Sequence, residues 1–398
     1  MRILWVKTDF LHPTDRGGQI RTLETLRQLH ANHEVHYVAY SNPAQPEGIR
    51  RAPEYSYRSY PVHRPIPPRG SPQFLAQMAR NLASSLPLAV GRYASQAMRA
   101  QVATLIATQK FDSIVCDFLS VAPNIPDLSR SVLFQHNVET AIWRRHAEHA
   151  ASSLRRAYFR LQADRMFQYE RKACQSAAHI IAVSGNDAEQ MKQLFGAKRV
   201  SAISTGVDVA YFARPADYPR SGEIVFVGAM DWLPNIDGAR WFTQQVLPLI
   251  RQKRPNTKLV LAGRSPVPEL QALTASDALI QVTGTVPDIR PYLWGASVSI
   301  VPLRIGGGTR LKIYEAMAAG VPVISTAVGA EGLAVEDGRT IALANSPEDF
   351  AQRCLELLEN DHRARAISAA ALTLVTERFS WAEVSRHFES ILQSACAA

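Results

Sequence analysis

Short apolar runs alternate with amphipathic segments along most of the chain. The apolar runs have the length of buried β-strands, and polar or turn-forming residues bound them. The segments between them repeat apolar residues every three or four positions, as in Gln19–His30, and this spacing predicts helices. The predicted strands are Arg2–Lys7, Glu34–Tyr40, Ser113–Cys116, Val132–Gln135, His179–Val183, Val200–Ile203, Ile224–Val227, Lys258–Ala262, Leu279–Val282, Ser297–Val301 and Val321–Ser325.

Strands separated by helices predict parallel sheets with right-handed crossovers, which is an α/β fold. The pattern is interrupted by the polar, proline-containing stretch ARPADYPRSGE, and 398 residues exceed one ordinary core. We therefore expect two doubly wound domains, residues 1–205 and 206–376. Ligands are expected where the carboxyl ends of the strands open into a crevice. The proline- and arginine-rich segment Arg51–Pro72 shows neither periodicity and is predicted to be a mobile loop.

Residues 377–398 are predicted to form a separate helix. Ser380 and Glu383 have the spacing of a capping box, and apolar residues recur at helical spacing after it. Because this helix follows a completed second domain, its apolar face is free to pack back on the first domain, and we predict that it does. The apolar residues are Trp381, Val384, Phe388, Ile391 and Leu392.

Composition limits the class of protein. An apolar content of 46% and a charged content of 20% are typical of a soluble enzyme. No apolar run approaches the roughly 20 residues of a membrane-spanning helix, and the start MRILWVKTDF has the pattern of a strand. The four cysteines, Cys116, Cys174, Cys354 and Cys396, lack metal-binding spacing and are interpreted as reduced thiols. We expect a cytoplasmic protein, with peripheral attachment to the inner membrane face left open.

The net charge of +9 is unevenly distributed, because residues 1–200 carry +11 and residues 201–398 carry −2. Much of the excess consists of arginines between residues 50 and 99, where Glu54 is the single acid. These arginines alternate with prolines and lack an aromatic stacking pattern, which argues against nucleic acid as the partner. An anionic membrane surface or an anionic acceptor fits this charge better. A merely solvated basic loop remains the alternative.

The strongest chemical signal is the segment RIGGGTRLKIYEAMAAGVPVIS, residues 304–325. Its glycines precede a helix predicted from about Thr309 to Ala319, and the free amides of a helix start favour an anion. Two cations in the first turn of that helix oppose its dipole unless an anion compensates them. A diphosphate is the simplest anion that satisfies both observations, and a carboxylate one turn further along can accept hydrogen bonds from a ribose. The predicted site residues are Gly306, Gly307, Gly308, Thr309, Arg310, Lys312 and Glu315.

Together with further segments, EAMAAGVPVIST and the following GAEGL resemble the nucleotide-sugar signature of family 4 glycosyltransferases. HIIAVSGNDAEQM, ISTGVDVAYF, FVGAMDWLPNIDG and VTGTVPDIRPYLWGASVSIVPL resemble other parts of that family, so the resemblance covers nearly the whole chain. It implies the GT-B fold, with two Rossmann-like domains facing across a cleft and a C-terminal crossover helix. The GGGTRLK…EA variant resembles a branch associated with exopolysaccharide assembly.

The resemblance also implies roles for residues of the second domain. Glu315 matches the ribose-binding glutamate of the family's E-x7-E pattern, but the first glutamate is replaced by Gly307. The usual basic residues after the first strand of this domain are also absent, so Arg310 and Lys312 are predicted to neutralise the diphosphate. Gly228 is expected to let the backbone approach the nucleotide. Asn235 is predicted to cap a helix at Ile236–Leu249. The family requires no metal in its site, and no cofactor is expected.

In the first domain, Gly17 and Gly18 precede the helix predicted from Gln19 and resemble the family's glycine loop, which approaches donor phosphate and acceptor. His136 follows the strand VLFQ, and the resemblance implies that it hydrogen-bonds the donor sugar. A plain turn and a structural histidine are the alternatives. Neighbouring Glu139 is interpreted as an acid at a helix start.

The function that follows is a retaining glycosyltransferase, with a nucleotide-diphosphate sugar as donor and a saccharide or lipid-linked acceptor. Retention is expected to use the leaving phosphate as the proton acceptor, so a dedicated base is unnecessary. Two alternatives stay open: a sugar-nucleotide epimerase or hydrolase of the same fold, and a non-catalytic nucleotide-sugar-binding protein. The base and sugar of the donor cannot be inferred from the residues.

Overall fold

The computed structural model describes residues 1–14, 17–68, 70–148, 150, 152–305 and 310–396. They form two compact units. The first unit contains residues 1–204 together with 384–398, and the second contains residues 205–383. The predicted boundaries are 205/206 and 376/377. Residues 377–383, which were predicted as part of the separate helix, belong instead to the second unit.

The first unit is built on a parallel sheet of seven strands in the described residues, in the order β3-β2-β1-β4-β5-β6-β7. The order reverses between β1 and β4, which is the point where doubly wound sheets bind ligands. Short 3₁₀ turns lie at Ala52–Glu54, Leu119–Asn124 and Leu128–Arg130. The strands are β1 (Arg2–Val6), β2 (Glu34–Ser41), β3 (Arg58–His63), β4 (Ser113–Asp117), β5 (Val132–Gln135), β6 (His179–Ala182) and β7 (Val200–Ala202). The helices are α1 (Gly17–His30), α2 (Glu47–Arg50), α3 (Pro72–Asn81), α4 (Leu88–Gly91), α5 (Gln96–Thr108), α6 (Glu139–Glu148), α7 (Ser153–Ser176) and α8 (Gly185–Phe195).

The second unit repeats this architecture with six parallel strands in its described part, in the order β10-β9-β8-β11-β12-β13. Its switch point lies between β8 and β11. The strands are β8 (Glu223–Val227), β9 (Leu259–Ala262), β10 (Ile280–Val282), β11 (Ala296–Val301), β12 (Val323–Ser325) and β13 (Ala342–Leu343). The helices are α9 (Val209–Phe212), α10 (Leu233–Trp241), α11 (Leu247–Lys253), α12 (Pro268–Ser276), α13 (Arg290–Gly295), α14 (Leu311–Ala318), α15 (Pro347–Glu359) and α16 (Asp361–Arg378), and a π-helical stretch at Phe242–Val246 joins α10 to α11. The last helix, α17 (Trp381–Cys396), begins in this unit and continues into the first unit from Val384. Among the described residues no helix is long and apolar enough to span a bilayer.

Both cores follow from the apolar runs, because central strands of a parallel sheet are covered on both faces. The burial of β1 and β5 is nearly complete, and so is that of β9 and β11. Each predicted strand is present, with ends that differ by at most two residues. The helix predicted from about Thr309 to Ala319 is observed from Leu311 to Ala318, with Arg310 at the N-cap position, and Thr309 lies outside the described residues.

The prediction of a loop across Arg51–Pro72 is wrong for its middle, where β3 pairs with β2 in parallel register. β3 lies at the edge of the sheet, and only one of its six residues, Val62, is buried. An edge strand exposes most of its side chains, so the apolar alternation that identifies a strand is missing. Pro61 is tolerated there because an edge strand can leave one backbone position unpaired.

The final helix α17 begins where the capping box predicted. The backbone amide of Glu383 donates to the Ser380 hydroxyl at 3.3 Å. From Val384 onward the helix belongs to the first unit, where the Phe388 ring stacks on Trp5 at a centroid distance of 5.5 Å and meets Phe134 edge-on at 5.1 Å. The described cysteines, Cys116, Cys174 and Cys354, are unpaired and buried.

Candidate functional site

In the second unit, the ends of two neighbouring strands and the start of α14 come together. Gly228 follows β8, Gly263 follows β9, and the Lys312 side chain of α14 reaches Gly228. Because parallel strands end at the same edge of a sheet, these residues mark one location. This is the place where the sequence predicted a diphosphate.

The two glycines permit a close backbone approach that no other residue allows. Gly263 has a φ of +153°, and a Cβ there would lie 1.8 Å from the Gly228 carbonyl oxygen. A Cβ at Gly228 would lie 2.6 Å from both the Asn235 Nδ2 and the Lys312 Nζ atoms. Alanine therefore does not fit at either position without displacing the site. Side chains of the protein fill the space beside Gly228. The predicted approach of its backbone to a nucleotide stays a prediction.

Lys312 and Glu315 lie one turn apart on α14. The Lys312 ammonium donates to the Asn235 Oδ1 atom at 2.8 Å and lies 4.7 Å from the centroid of the Phe226 ring. Burial lowers the pKa of Lys312 to about 7, although the neighbouring Glu315 opposes this shift. Burial likewise raises the pKa of Glu315 to about 7, against the effect of Lys312. At neutral pH both groups are thus close to half-protonated, and an arriving anion favours the charged form of the lysine.

The role predicted for Asn235 is wrong. The helix α10 begins at Leu233, with Trp232 at the N-cap position and no side-chain cap. Asn235 is buried inside the first turn, where its amide donates to the Ala229 carbonyl at 2.8 Å and its oxygen accepts from Lys312. Asn235 therefore fixes the direction of the lysine. A sequence motif that places a polar residue near a helix start does not distinguish capping from an inward contact.

Arg310 occupies the N-cap position of α14 and is buried. Its guanidinium carbon lies 5.6 Å from the centroid of the Trp232 ring, within the range of a cation–π contact. Burial lowers the pKa of Arg310 from its ordinary value. Gly306, Gly307, Gly308 and Thr309 lie outside the described residues, so the predicted cradle of backbone amides stays a prediction.

In the first unit, a buried polar network lies at the carboxyl edge of β1, β4 and β5. The Asp117 carboxylate accepts hydrogen bonds from the Lys7 ammonium at 2.9 Å, the Thr22 hydroxyl at 2.7 Å and the Trp5 indole at 2.9 Å. Burial alone would raise the pKa of Asp117, but Lys7 and His136 outweigh it and hold that pKa well below its usual range. The aspartate is therefore ionised at neutral pH.

His136 completes this network. Its Nε2 atom lies 2.8 Å from the Asp117 Oδ1 atom, and its Nδ1 atom lies 3.3 Å from the Arg21 Nη1 atom. Burial lowers the pKa of His136 to about 4, so the imidazole is neutral. Since the arginine can only donate, the Nδ1 atom of His136 is an acceptor. Its Nε2 atom therefore carries the proton and donates a hydrogen bond to Asp117. A hydrogen bond from His136 to a donor sugar, as the resemblance implies, therefore requires one of these contacts to be replaced.

The helix α1 begins two residues earlier than predicted, so the glycine pair belongs to its start, and the approach of both glycines to donor phosphate and acceptor stays a prediction. Gly17 and Gly18 form the first turn of α1. A Cβ at Gly18 would lie 2.8 Å from the ring of Phe118, which stacks on His136 at a centroid distance of 3.9 Å. The smallness of Gly18 thus admits an aromatic ring. At Gly17 a Cβ would meet no atom within 4 Å, and its role stays a prediction.

A cavity of about 330 Å³ in the first unit opens above this network. Lys7, Gly18 and Phe118 contribute to its lining, with Asp9 and Glu139 as acidic groups and an apolar wall that includes Val90 and Met166. Glu139 is the first residue of α6, which confirms its interpretation as an acid at a helix start. Burial raises the pKa of this carboxyl from its ordinary value.

Sequence reasoning missed Lys7 and Asp117 as site residues. Both charged side chains stand at the end of a strongly apolar strand, and that position was the available signal. Their partnership was not visible, because 110 residues separate them. In the second unit, Trp232 was also missed as the ring beside Arg310.

Two doubly wound units with parallel sheets and polar residues at the carboxyl edges of the strands define a two-domain α/β protein of the class that binds ligands at these edges. Residues 16–211 match the sequence profile of Glycosyltransferase Family 4, and residues 221–360 match that of Glycosyl transferases group 1. The chain belongs to this glycosyltransferase family, and its fold is GT-B. It is therefore a glycosyltransferase.

Three similar proteins illustrate the relationship. An uncharacterized 44.6 kDa protein in the cps region of Klebsiella pneumoniae is 22% identical over 98% of this chain and 99% of its own length. Among solved structures, sucrose-phosphate synthase from Thermosynechococcus elongatus superposes with a TM-score of 0.68 at 17% identity, covering 100% of this chain and 99% of that one. Anabaena HepE, solved in complex with UDP, superposes with a TM-score of 0.66 at 13% identity, covering 99% and 100%.

Proposed function

We propose that this glycosyltransferase transfers a sugar from a UDP- or GDP-sugar with retention of the anomeric configuration. One observation carries the proposal: a partly buried lysine and a partly buried glutamate lie one turn apart on α14, and the lysine ammonium fills the space that a side chain at Gly228 would need. Such a site offers a positive charge for a diphosphate and an acceptor for ribose hydroxyls. The structure of HepE with UDP, which shares the fold, is compatible with this donor class.

In the proposed reaction, the bond between the anomeric carbon and the diphosphate oxygen breaks, and negative charge develops on the leaving group. Lys312 and Arg310 stabilise that charge from fixed positions, an effect that is large in a site shielded from water. The acceptor oxygen forms its bond on the same face of the sugar, and its proton passes to a diphosphate oxygen. No metal or other cofactor takes part in this proposal, and activity is expected to persist after treatment with a chelator.

The proposed acceptor is a saccharide or lipid-linked saccharide bound by the first unit, in a pathway of exopolysaccharide or glycoconjugate synthesis. The cavity above Lys7 and Phe118 combines charged groups with an apolar wall, as such an acceptor requires. The name of the Klebsiella relative, which places it in a cps region, is compatible with this role. An anionic membrane surface is the partner proposed for the same unit.

The proposal is tested by calorimetric titration of UDP, GDP and a panel of their sugars into the wild-type protein and the Lys312→Ala and Glu315→Ala variants. Each variant is expected to bind its nucleotide at least about tenfold more weakly, since hydrogen bonds to charged groups contribute about 1.5–3 kcal/mol. Lys258→Ala is the matched control, because this lysine is exposed in the same unit. NMR of the product formed from the active donor determines its anomeric configuration.

Unchanged nucleotide affinity in both variants would reject the site assignment. A product of inverted configuration would reject retention but leave the site intact. Epimerisation or hydrolysis of the donor without transfer, or binding without turnover on saccharide and lipid-linked acceptors, would replace the transferase with one of the alternatives raised by the sequence.

A further inference from the structure

Trp232 lies at the surface of the second unit, beside the predicted diphosphate site. Its side chain is 40% exposed, and it is the one tryptophan among the large hydrophobic residues that are exposed in the described part of the chain. Its neighbour Leu233 is 65% exposed and extends the apolar surface. Tryptophan is highly buried on average, so an exposed indole next to a ligand site indicates a surface that receives the ligand.

Hydrogen bonds of the main chain fix Trp232 in place. Its backbone amide donates to the Ala229 carbonyl at 3.2 Å. Its carbonyl accepts from the backbone amides of Asn235 and Ile236 at 2.9 and 3.1 Å, where α10 begins. The backbone that carries the indole is therefore ordered before a ligand arrives, which lowers the entropy that binding costs.

The indole contacts Arg310, whose guanidinium carbon lies 5.6 Å from the centroid of the ring. Arg310 occupies the N-cap position of α14, and the start of a helix favours an anion. The arginine is buried whereas the indole is partly exposed, so the ring forms the outer side of this contact. A diphosphate bound at the start of α14 would therefore lie next to Trp232.

The contacts between the start of α10 and α14 give the site a direction. Trp232 contacts Arg310 at the beginning of α14. One turn further along α10, Asn235 contacts Lys312. Glu315, the proposed partner of the ribose, lies about 7.5 Å beyond Arg310 along the helix axis, at about 1.5 Å per residue. Trp232 therefore lies at the end of the diphosphate site that is opposite to the ribose.

The order of groups in a nucleotide-diphosphate sugar decides what meets Trp232 there. The ribose and the transferred sugar are attached to opposite ends of the diphosphate, and the nucleobase lies beyond the ribose. The end of the site that carries Trp232 is therefore the end for the transferred sugar. The nucleobase fits this position less well, because it lies on the Glu315 side.

We propose that the indole of Trp232 stacks on the ring of the donor sugar and thereby contributes to the choice of donor. The face of an aromatic ring is electrostatically negative and attracts C–H groups, and the contact also removes apolar surface from water. The sugar that fits is a hexopyranose whose ring C–H groups are concentrated on one face. The inference rests on the proposed function, because it takes a nucleotide-diphosphate sugar as the donor.

The test compares a nucleotide with its nucleotide-sugars by calorimetric titration of the full-length protein without acceptor. The probes are UDP, UDP-glucose, UDP-N-acetylglucosamine, GDP and GDP-mannose. The measured quantity is the dissociation constant of the nucleotide-sugar that the wild type binds most tightly, divided by that of its nucleotide. We expect Trp232→Ala to raise this ratio by about three- to tenfold, since the stacking contact is lost while the nucleotide contacts remain.

Two further variants serve as controls. Trp232→Phe should keep most of the wild-type ratio, because it retains an aromatic face. Tyr211→Ala should leave the ratio unchanged. Tyr211 is the matched control because it is 48% exposed in the same unit, and its ring centroid likewise lies near an arginine, 3.9 Å from the guanidinium carbon of Arg290. Equal thermal unfolding of all four proteins shows that a changed ratio is not a loss of fold.

A ratio that stays at the wild-type value in Trp232→Ala would overturn the proposal, whether both affinities fall together or neither changes. A common fall would mean that the ring acts on the diphosphate or the nucleobase. Either result leaves the proposed donor class intact, because the wild type still binds the nucleotide. If the wild type bound none of the five probes, the proposed function itself would fail, and the stacking contact with it.

Discussion

The Asp117 carboxylate is the centre of the buried polar network in the first unit. It is fully buried and receives hydrogen bonds from Lys7, Thr22, Trp5 and His136. A buried ion pair gains little over well-packed apolar residues, but removal of one partner leaves an isolated charge. The network therefore positions these side chains more than it stabilises the fold. Removal of either charge should destabilise the protein.

Because the buried Lys7 and Asp117 side chains compensate each other's charge, neutralising either one should destabilise the protein. Asp117→Asn leaves the Lys7 ammonium buried without a counter-charge and should lower the free energy of unfolding by about 3–5 kcal/mol. Lys7→Met should have a similar cost, because the carboxylate then loses its cation. The double variant should lose less than the sum of the two, and urea titration followed by circular dichroism measures all three values. Strictly additive losses would show that Lys7 and Asp117 do not act as a pair.

The lowered pKa of Lys312 leads to a prediction of how nucleotide affinity depends on pH. Burial holds the pKa of its ammonium at about 7, below the ordinary 10.5, and a bound diphosphate should raise it again. The protein must therefore take up a proton when it binds nucleotide above pH 7. Affinity is then fully present at pH values below this pKa and falls as pH rises through it, by up to about tenfold per pH unit.

Calorimetry of UDP or GDP binding at pH 8 in buffers of different ionisation enthalpy measures the proton uptake. The wild type should take up close to one proton, whereas Lys312→Arg should take up none, because arginine stays charged. Lys312→Met should bind weakly without the uptake. Equal uptake in all three proteins would assign the proton to another group.

At the scale of elements, the loop after β4 arranges the aromatic side of the first-unit cavity. Phe118 has a φ of +76°, a conformation that non-glycine residues rarely adopt. This conformation accompanies a stacked contact with His136 and places the ring centroid 4.3 Å from the Lys7 ammonium. Gly18 in α1 provides the space. Backbone strain of this kind persists where surrounding contacts compensate for it, which occurs often at functional sites.

The start of α6 is fixed by a side chain from another helix. Glu170 of α7 is buried and accepts from the backbone amides of Glu139 and Thr140 at 2.9 and 2.8 Å. It also accepts from the Thr140 hydroxyl and from Gln135 of β5. The carboxylate thus replaces the local cap that the sequence HNVET lacks. Because it ties β5 to α6, it also holds His136 between them.

The buried strands could be predicted from the local pattern of apolar residues, because each of them is a short apolar run. This pattern failed for β3, whose exposed edge position leaves Val62 as its only buried residue. It also failed for Asn235, because a helix start that holds an inward asparagine has the same composition as a capped one. In both cases the structure depends on a partner that is distant in sequence. β3 pairs with β2, and Asn235 binds Lys312, and neither partner lies in the short stretch of sequence from which local structure is inferred.

At the scale of the whole molecule, the family and the fold could be recognised from motifs spread along the chain. Lys312 and Glu315 were predicted together because one helix carries both at a fixed spacing. The network of Lys7, Asp117 and His136 was not predicted, because it is assembled from three strands that are distant in sequence. Residues of one element can thus be grouped from the sequence more readily than residues that only the order of strands in the sheet brings together.

The first unit is completed by the end of the chain. Residues 384–398 belong to it, and Phe388, fully buried, packs on Trp5 of β1 and Phe134 of β5. These contacts join positions more than 250 residues apart along the chain. During synthesis, strands β1–β7 are made long before the helix that covers Trp5. The stability of the central strands should therefore depend on a residue near the C-terminus.

Phe388→Ala tests this dependence. Removal of the ring leaves a cavity beside Trp5 and Phe134 and should destabilise the first unit by about 3–5 kcal/mol. Hydrogen exchange followed by mass spectrometry should show faster exchange in peptides from β1 and β5, and little change in peptides from β8 and β11. Phe350→Ala provides the matched control, because this phenylalanine is equally buried in the second unit between Trp241 and Phe242. It should produce the reverse pattern. If Phe388→Ala left β1 and β5 protected, α17 would be a peripheral attachment and the first unit would be stable without the end of the chain.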